Sequence, residues 1–469
     1  MKKKYIVSFF LMLLPVVLAN AKAIHVCIDS IGYNLIRESG TAEVTSSGYK
    51  YKGDIIIPES VTYQGVEYSV TSIGDAFFYC DKMTSVSIPN TVTNICGSAF
   101  SYCSGLSEII IPNSVTSIGD NAFMDCTGLT SLTIPESVTS IGGYVFANCT
   151  GLTSVTIPSS LTIISDHAFY GCTALTSVSI PNGITSIEWD AFANCTGLVS
   201  VSIPNSVTNI GSWAFYGCSS LSSIDLPSNI TFMGAGSFKD CISLTSVEIP
   251  FGLTSLECYV FDSCTNLISV VIPNSITTIH SRAFWKCSSL ASVEIPNSVT
   301  TIDDQAFGFC SSLVTLIIGK NVSDMFSQVF CHSSKLTHVY CYAENVPKAG
   351  SEGFYQSNIA NATLHVPEAS IGSYRNTEPW RSFGKIEPLG EGTGLNGIQS
   401  DGVRIQAVGG VLAIEGAVEG TPVIVYDTTG RLLASAMTTK QAARIATSLR
   451  KGAVAIVKVG DRVEKVVMK

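Results

Sequence analysis

A cysteine returns every 23 residues from Cys80 to Cys310, eleven times without a miss. Phenylalanine keeps the same step through twelve positions from Phe77 to Phe330, and proline through ten from Pro89 to Pro296. A period of roughly 20–30 residues held this long specifies a solenoid, because each repeat can bury its apolar side only against its neighbours. That architecture constrains everything else and leaves little room for the cleft of a conventional enzyme.

Residues 106–128 show how one repeat works. Ile109 and Ile111 are two apart and share one face of a strand, with Leu106 leading in. Pro112 removes a backbone donor and ends that strand. Val115 and Ile118 make a second short extended segment. Ala122, Phe123 and Cys126 then follow with the spacing of one helical or 3₁₀ turn. Beyond the leading Leu106, seven positions per coil point inward. Stacked coils set strands side by side at about 4.8 Å in a parallel sheet, so twelve coils span on the order of 55–60 Å.

The periodic cysteines fall on the inward register beside phenylalanine, where a free thiol behaves as a small hydrophobe. They are expected to form a buried thiol ladder. An exported chain would permit disulfides between adjacent coils, but eleven is odd and complete pairing within the ladder is impossible. No Cys-x-x-Cys occurs and the six histidines follow no ligand spacing, so no metal and no cofactor is expected. Cys27, Cys96, Cys258, Cys331 and Cys341 stand outside the ladder.

The pattern Leu-x-x-Ile-x-Ile-Pro-x-x-Val-x-x-Ile-x-x-x-Ala-Phe-x-x-Cys closely resembles the BspA-like (Treponema pallidum-type) leucine-rich repeat, over roughly residues 54–340. The resemblance implies a secreted or cell-surface bacterial protein, some relatives of which act as adhesins for host matrix or other bacteria. Plant and animal repeats carry a buried Asn after the strand. Ser114 or Ser137 stands in that register here, so ligand residues of those classes do not transfer.

The ends differ from the middle. Met1–Ala23 has Lys2, Lys3 and Lys4, an apolar run from Tyr5 to Leu18 and small-x-small sites at Ala19–Ala21 and Ala21–Ala23, the makeup of a signal peptide. That run is too short for a membrane helix, which needs about 17–25 residues, and no later stretch reaches that length. Residues 24–72 read as an N-terminal cap with strands at Ile24–Ile28, Tyr33–Arg37, Ala42–Val44 and Asp54–Ile57, and a hairpin over Tyr63–Tyr68. The regular solenoid runs over 73–340, a C-terminal cap over 341–388 and a Gly-rich linker over 389–402.

Residues 403–469 alternate as a small antiparallel β-sandwich of seven strands: Val403–Ala407, Val411–Glu415, Thr421–Asp427, Arg431–Ser435, Ala443–Ala446, Ala453–Val459 and Val463–Met468. They carry 10 Lys+Arg against 5 Asp+Glu, whereas 24–402 carry 13 against 31. The runs Val423–Arg431, Lys451–Gly460 and Lys465–Lys469 resemble the C-terminal sorting domains of type IX-secreted Bacteroidetes proteins. Ala453-Val454-Ala455 stands where those usually show Val-Tyr. The resemblance implies contact with that secretion machinery, and the alternative is an ordinary accessory sandwich. The acidic body repels phosphate backbones and argues against nucleic acid.

Two surfaces are candidates for binding. Tyr144, Tyr170, Trp189, Trp213, Tyr216, Tyr259 and Trp285 lie off the inward register around the Ala-Phe-x-x-Cys turn. Aromatic patches at a surface mark recognition sites, although side chains of adjacent coils can also stack on one another. Trp189 and Trp213, on consecutive coils, are expected side by side near Tyr170 and Tyr216. The other surface is the outward side of the first strand, a Ser/Thr ladder that turns acidic at Asp225, Glu248 and Glu294 and suits hydrogen bonding to peptide or glycan. Carboxylates do not pair reproducibly, His167 and His280 lack companions, and no nucleophile motif occurs. The sequence therefore points to an exported, non-enzymatic protein that binds a protein or glycan outside the cell. The alternative is a structural spacer with no specific ligand.

Overall fold

The computed structural model describes residues 23–389 and, in the tail, stretches of seven strands between 404 and 467. Residues 1–22 of the expected signal peptide, and the expected linker from 390 on, lie outside the described residues. The chain opens as an antiparallel meander of Ile24–Ile28, Ile31–Ile36 and Thr41–Thr45. Thr41–Thr45 then pairs in parallel with Val66–Ile73, which hands the sheet over to the direction every later coil keeps. Val66–Ile73 also closes an antiparallel hairpin with Ser60–Tyr63. Its turn residues Gln64 and Gly65 sit at φ 52° and 76°, as a two-residue turn with both residues in the left-handed region requires.

From there the structure is a solenoid of about 14 coils. Ser131–Thr133 lies on Ser154–Thr156 with every residue opposite its counterpart 23 positions on, and Ser177–Ser179 lies on Ser200–Ser202 likewise. A second parallel ladder runs through Ser117–Ile118 and Ser140–Ile141. Thr116 and Thr139 hydroxyls each donate to the Thr carbonyl one coil back.

The Ala-Phe-x-x-Cys turn is not a helix. Alternate N–H groups do two jobs: those of Ala122, Met124 and Cys126 close local turns onto residues three back, while those of Asn121, Phe123 and Asp125 reach carbonyls of the next coil. Helical backbone cannot continue through Asn121 and Asp125, which lie at φ 57° and 58°. Asn and Asp tolerate that region better than most residues, and the same two positions recur in coil after coil. This corrects the helical or 3₁₀ reading of the spacing.

Two inward columns hold the stack. The phenylalanines from Phe77 to Phe330 form a continuous pile of near-parallel rings with centroids 5.0–5.7 Å apart. Tyr51 covers the first ring at 5.0 Å. All sixteen cysteines are free, and the periodic ones are buried. From Cys103 to Cys310 each thiol donates to the carbonyl of the Phe 26 residues earlier, at 3.0–3.5 Å. The thiol thus serves as a donor for a buried carbonyl as well as apolar filling.

Past residue 340 the step lengthens to 25 and then shortens to 22 residues, yet the parallel pairing continues: His338–Cys341 on Thr363–Val366, and that on Lys385–Pro388. Phe354 extends the ring pile beyond Phe330 at 5.5 Å. Trp380 and Phe383 close it edge-on against Phe354 at 5.6 and 5.3 Å, and the Trp380 indole N–H donates to the Pro347 carbonyl. In the tail, Arg404–Val408, Val411–Glu415 and Ala442–Ala446 form one antiparallel sheet. Pro422–Asp427, Leu432–Met437, Val454–Val459 and Arg462–Val467 form another. Leu412, Ile414, Val423, Val425, Ile445 and Val457 are buried in this small sandwich. Among the described residues no helix is long and apolar enough to cross a membrane.

Candidate ligand-binding surface

The edge of the solenoid at the Ala-Phe-x-x-Cys turn consists of side chains launched from the left-handed positions. Tyr144, His167, Asp190, Trp213, Gly236, Tyr259, Arg282, Gln305 and Gln328 all have φ between 53° and 63° and follow one another at 23 residues. Most of these side chains meet a neighbour on the next coil. Tyr144 stacks on His167 at 4.0 Å, and His167 Nε2 pairs with Asp190 Oδ2 at 3.2 Å. Trp213 lies flat over Gly236, where a Cβ would come within 2.4 Å of the indole. Tyr259 meets the Arg282 guanidinium at 5.8 Å. Arg282 then donates to Gln305 at 2.6 Å, Gln305 to Gln328 at 2.8 Å and Gln328 to Glu352 at 2.7 Å.

The seven candidate aromatics divide accordingly. Tyr144, Trp213 and Tyr259 belong to this column. Tyr170, Tyr216 and Trp285 belong to another, three residues further along each coil, and Trp189 precedes the left-handed position of its own coil. Trp189 and Trp213 do not come side by side: Trp189 packs edge-on against His167 at 5.3 Å, whereas Trp213 meets Tyr216 at 5.5 Å and Tyr259 at 6.3 Å. The extra residue in their spacing places them in different columns.

Exposure divides them too. Only Trp189 at 52 % and Tyr144 at 39 % are open to solvent, and the other five are half-buried. Trp285 covers Gly308, meets Arg282 at 5.1 Å and abuts Phe309 at 4.6 Å. Trp213, Tyr216, Tyr259 and Trp285 are thus largely occupied with one another and with Arg282. The exposed cluster is Tyr144 and Trp189 around His167, with Tyr170 tilted against the same ring at 5.8 Å.

His167 and His280 do have companions, each one coil away: His167 with Asp190, and His280 Nδ1 with Asp303 Oδ2 at 2.8 Å. The 23-residue step that sets the cysteines also sets these pairs. Burial raises the Asp190 carboxyl above its ordinary range against the opposing pull of His167.

On the strand face, Asp225 is exposed, while Glu248 and Glu294 are half-buried in strands Ser246–Glu248 and Ser292–Ile295. Glu248 lies opposite Val271 and Glu294 opposite Ile317. Asp225 and Glu248 stand on consecutive coils, but Val271 separates Glu248 from Glu294, so the acidic residues do not form a continuous stripe.

Two further clusters escaped the sequence reading. At the N-terminal end Tyr79 stacks on Tyr102 at 4.2 Å with Phe78 edge-on to both, beside a cleft of about 300 Å³ lined by Ser46, Tyr49, Lys50 and Asp75. Phe78 is four steps of 23 before Tyr170, so the period itself was the available signal. At the C-terminal end the outward strand positions hold His338, Tyr340 and His365. Tyr340 stacks on His365 at 4.4 Å. Burial, with His338 next in effect, holds the His365 imidazole below its usual range.

A model of the BspA type leucine rich repeat region matches the chain in three overlapping spans, 71–195, 162–284 and 254–376. The chain belongs to the BspA-type leucine-rich repeat family. A leucine-rich repeat protein from Bacteroides ovatus shares 30% identity with this BspA-type protein at a TM-score of 0.61, over 78% of the chain and all of the relative. A leucine-rich cell surface protein from Faecalibacterium prausnitzii is 26% identical over 78% of the chain and 95% of its own, at a TM-score of 0.49. The pneumococcal vaccine antigen PcpA is 18% identical over 78% of the chain and 98% of its own, at 0.52, a likeness of fold. No curated protein matches the chain.

Proposed function

We propose that this BspA-type protein is an exported, non-enzymatic binding protein that presents the edge and face of its solenoid to a protein or glycan outside the cell. The observation that carries the reading is the exposed ring cluster of Tyr144 and Trp189 about His167. It is the part of the candidate patch whose aromatic surface is not already taken by neighbouring side chains. Rigid amphipathic rings held at a surface suit recognition, since tyrosine and tryptophan dominate interface energetics. The leader composition supports secretion or surface display, and the acidic body disfavours nucleic acid. The basic tail sandwich is the part that would engage a type IX-like secretion machinery.

A spacer role is favoured by a different observation. The run Arg282–Gln305–Gln328–Glu352 spends its polar groups along the stack, which stiffens the array without leaving a site. Probing arrays of extracellular-matrix proteins and bacterial or host glycans with the purified chain separates the two. Saturable binding that Trp189→Ser removes supports the binding role. Absence of any saturable partner leaves the spacer.

A further inference from the structure

The outward face of the last three parallel strands brings together two imidazoles that lie 27 residues apart in sequence. His338 Nδ1 and His365 Nε2 face each other at 3.4 Å. Strand His338–Cys341 pairs with Thr363–Val366 so that Tyr340 is opposite His365 and His338 opposite Thr363, which makes the two histidines diagonal neighbours. As a hydrogen bond between rings the contact is long, since such bonds centre near about 2.9–3.0 Å. As the separation of two nitrogens on one ion it fits: zinc–nitrogen bonds of about 2.0–2.1 Å on a tetrahedral centre set adjacent nitrogens about 3.3–3.4 Å apart.

We propose that His338 and His365 form a binding site for one divalent transition-metal ion of the imidazole-preferring class. The surroundings prepare His365 for that role. Its ring is fixed by the Tyr340 ring lying 8° from parallel. Glu387, on the adjoining strand and opposite His365, adds negative charge that favours a cation there. It pairs with Lys385, which offsets part of that charge. Among the described residues no group of three or more His, Cys, Asp or Glu side chains converges. The remaining coordination positions therefore go to water or to a donor from a partner. His338 is exposed, so those positions face solvent, as suits an ion that joins this face to something else.

The test uses the full chain without a polyhistidine tag, with exposed Cys27 alkylated beforehand, titrated with zinc in a calorimeter. One equivalent is expected to bind in the micromolar range. Either His338→Gln or His365→Gln should weaken that binding at least tenfold, while His25→Gln leaves it unchanged. Because a variant could lose its fold, zinc protection of both rings from imidazole acylation is measured on the unaltered chain by peptide mass spectrometry. Loss of binding in both variants with protection of both rings sustains the site. Unchanged affinity in the variants, or acylation of both rings at the same rate with and without zinc, overturns it.

Discussion

The thiol ladder makes the fold sensitive to alkali in a way that can be calculated. Burial pushes the thiols of Cys103 and Cys218 up to about 12 from an ordinary value of 9.0. It raises the other eight from Cys126 to Cys310 as well. A group whose folded pKa is raised contributes stability that is fully present below its unfolded pKa and is lost as pH rises toward the folded one. Each such thiol costs about 1.4 kcal/mol per pH unit once it ionises in the unfolded chain. Ten of them approach about 14 kcal/mol per unit above pH 9, and about half that slope applies at the midpoint. Domain stability is of order 5–15 kcal/mol, so the solenoid should unfold cooperatively within about one unit above pH 9. Circular dichroism and thiolate ultraviolet absorbance, recorded together through a pH titration, check this. The two signals should change at the same pH, and Cys195→Ala should make the transition less steep. Thiolate absorbance that climbs gradually while the dichroism stays native would refute the reasoning, because the thiols would then be ionising in the folded ladder.

Phe192 is fully buried between Phe169 and Phe215, so Phe192→Ala should cost about 3–5 kcal/mol by guanidinium unfolding, and a cost near zero would rule out the ring column. Trp213→Ser should lower the melting temperature because the indole covers Gly236 and touches two tyrosine rings, whereas Trp189→Ser should change stability by less than about 1 kcal/mol; equal effects would contradict the two-column division. In the native protein a thiol reagent should label Cys27 at once and the buried ladder only after denaturation, read by peptide mass spectrometry. Deleting residues 403–469 should leave the solenoid folded but retained in the periplasm, and normal surface display of the truncated chain would favour an accessory sandwich over a sorting domain.

The 23-residue step made the solenoid, the inward columns and the buried thiols legible, because every coil repeats the same packing problem. The seven tail strands were legible from alternation alone. What the period concealed was the backbone of the Ala-Phe-x-x-Cys turn. Spacing i, i+1, i+4 is common to a helical turn and to a chain of local turns, and only the left-handed residues Asn121 and Asp125 distinguish them. The candidate patch was legible as a set of residues but not as a surface. Whether Trp213 is exposed depends on the glycine one coil on, and Trp189 escapes burial by standing one position out of column. The pairs His167–Asp190 and His280–Asp303 obey the same step but join different residue types, so the repetition of single residues does not reveal them. His338 and His365 were hidden for another reason: the step between their strands is 25 residues, and their diagonal relation adds two more.

The inward columns hold the fold, and the proposed binding role rests on the exposed rings at the turn edge. Once a partner has been captured on the purified chain, surface plasmon resonance of the double variant Tyr144→Ser, Trp189→Ser, with thermal melts of both proteins, tests it directly. Binding should weaken by about 2 kcal/mol or more, the scale of an interface hot spot, with the melting temperature nearly unchanged. Unaltered affinity would contradict the claim and move the site to the strand face, where Asp225 is the exposed acid.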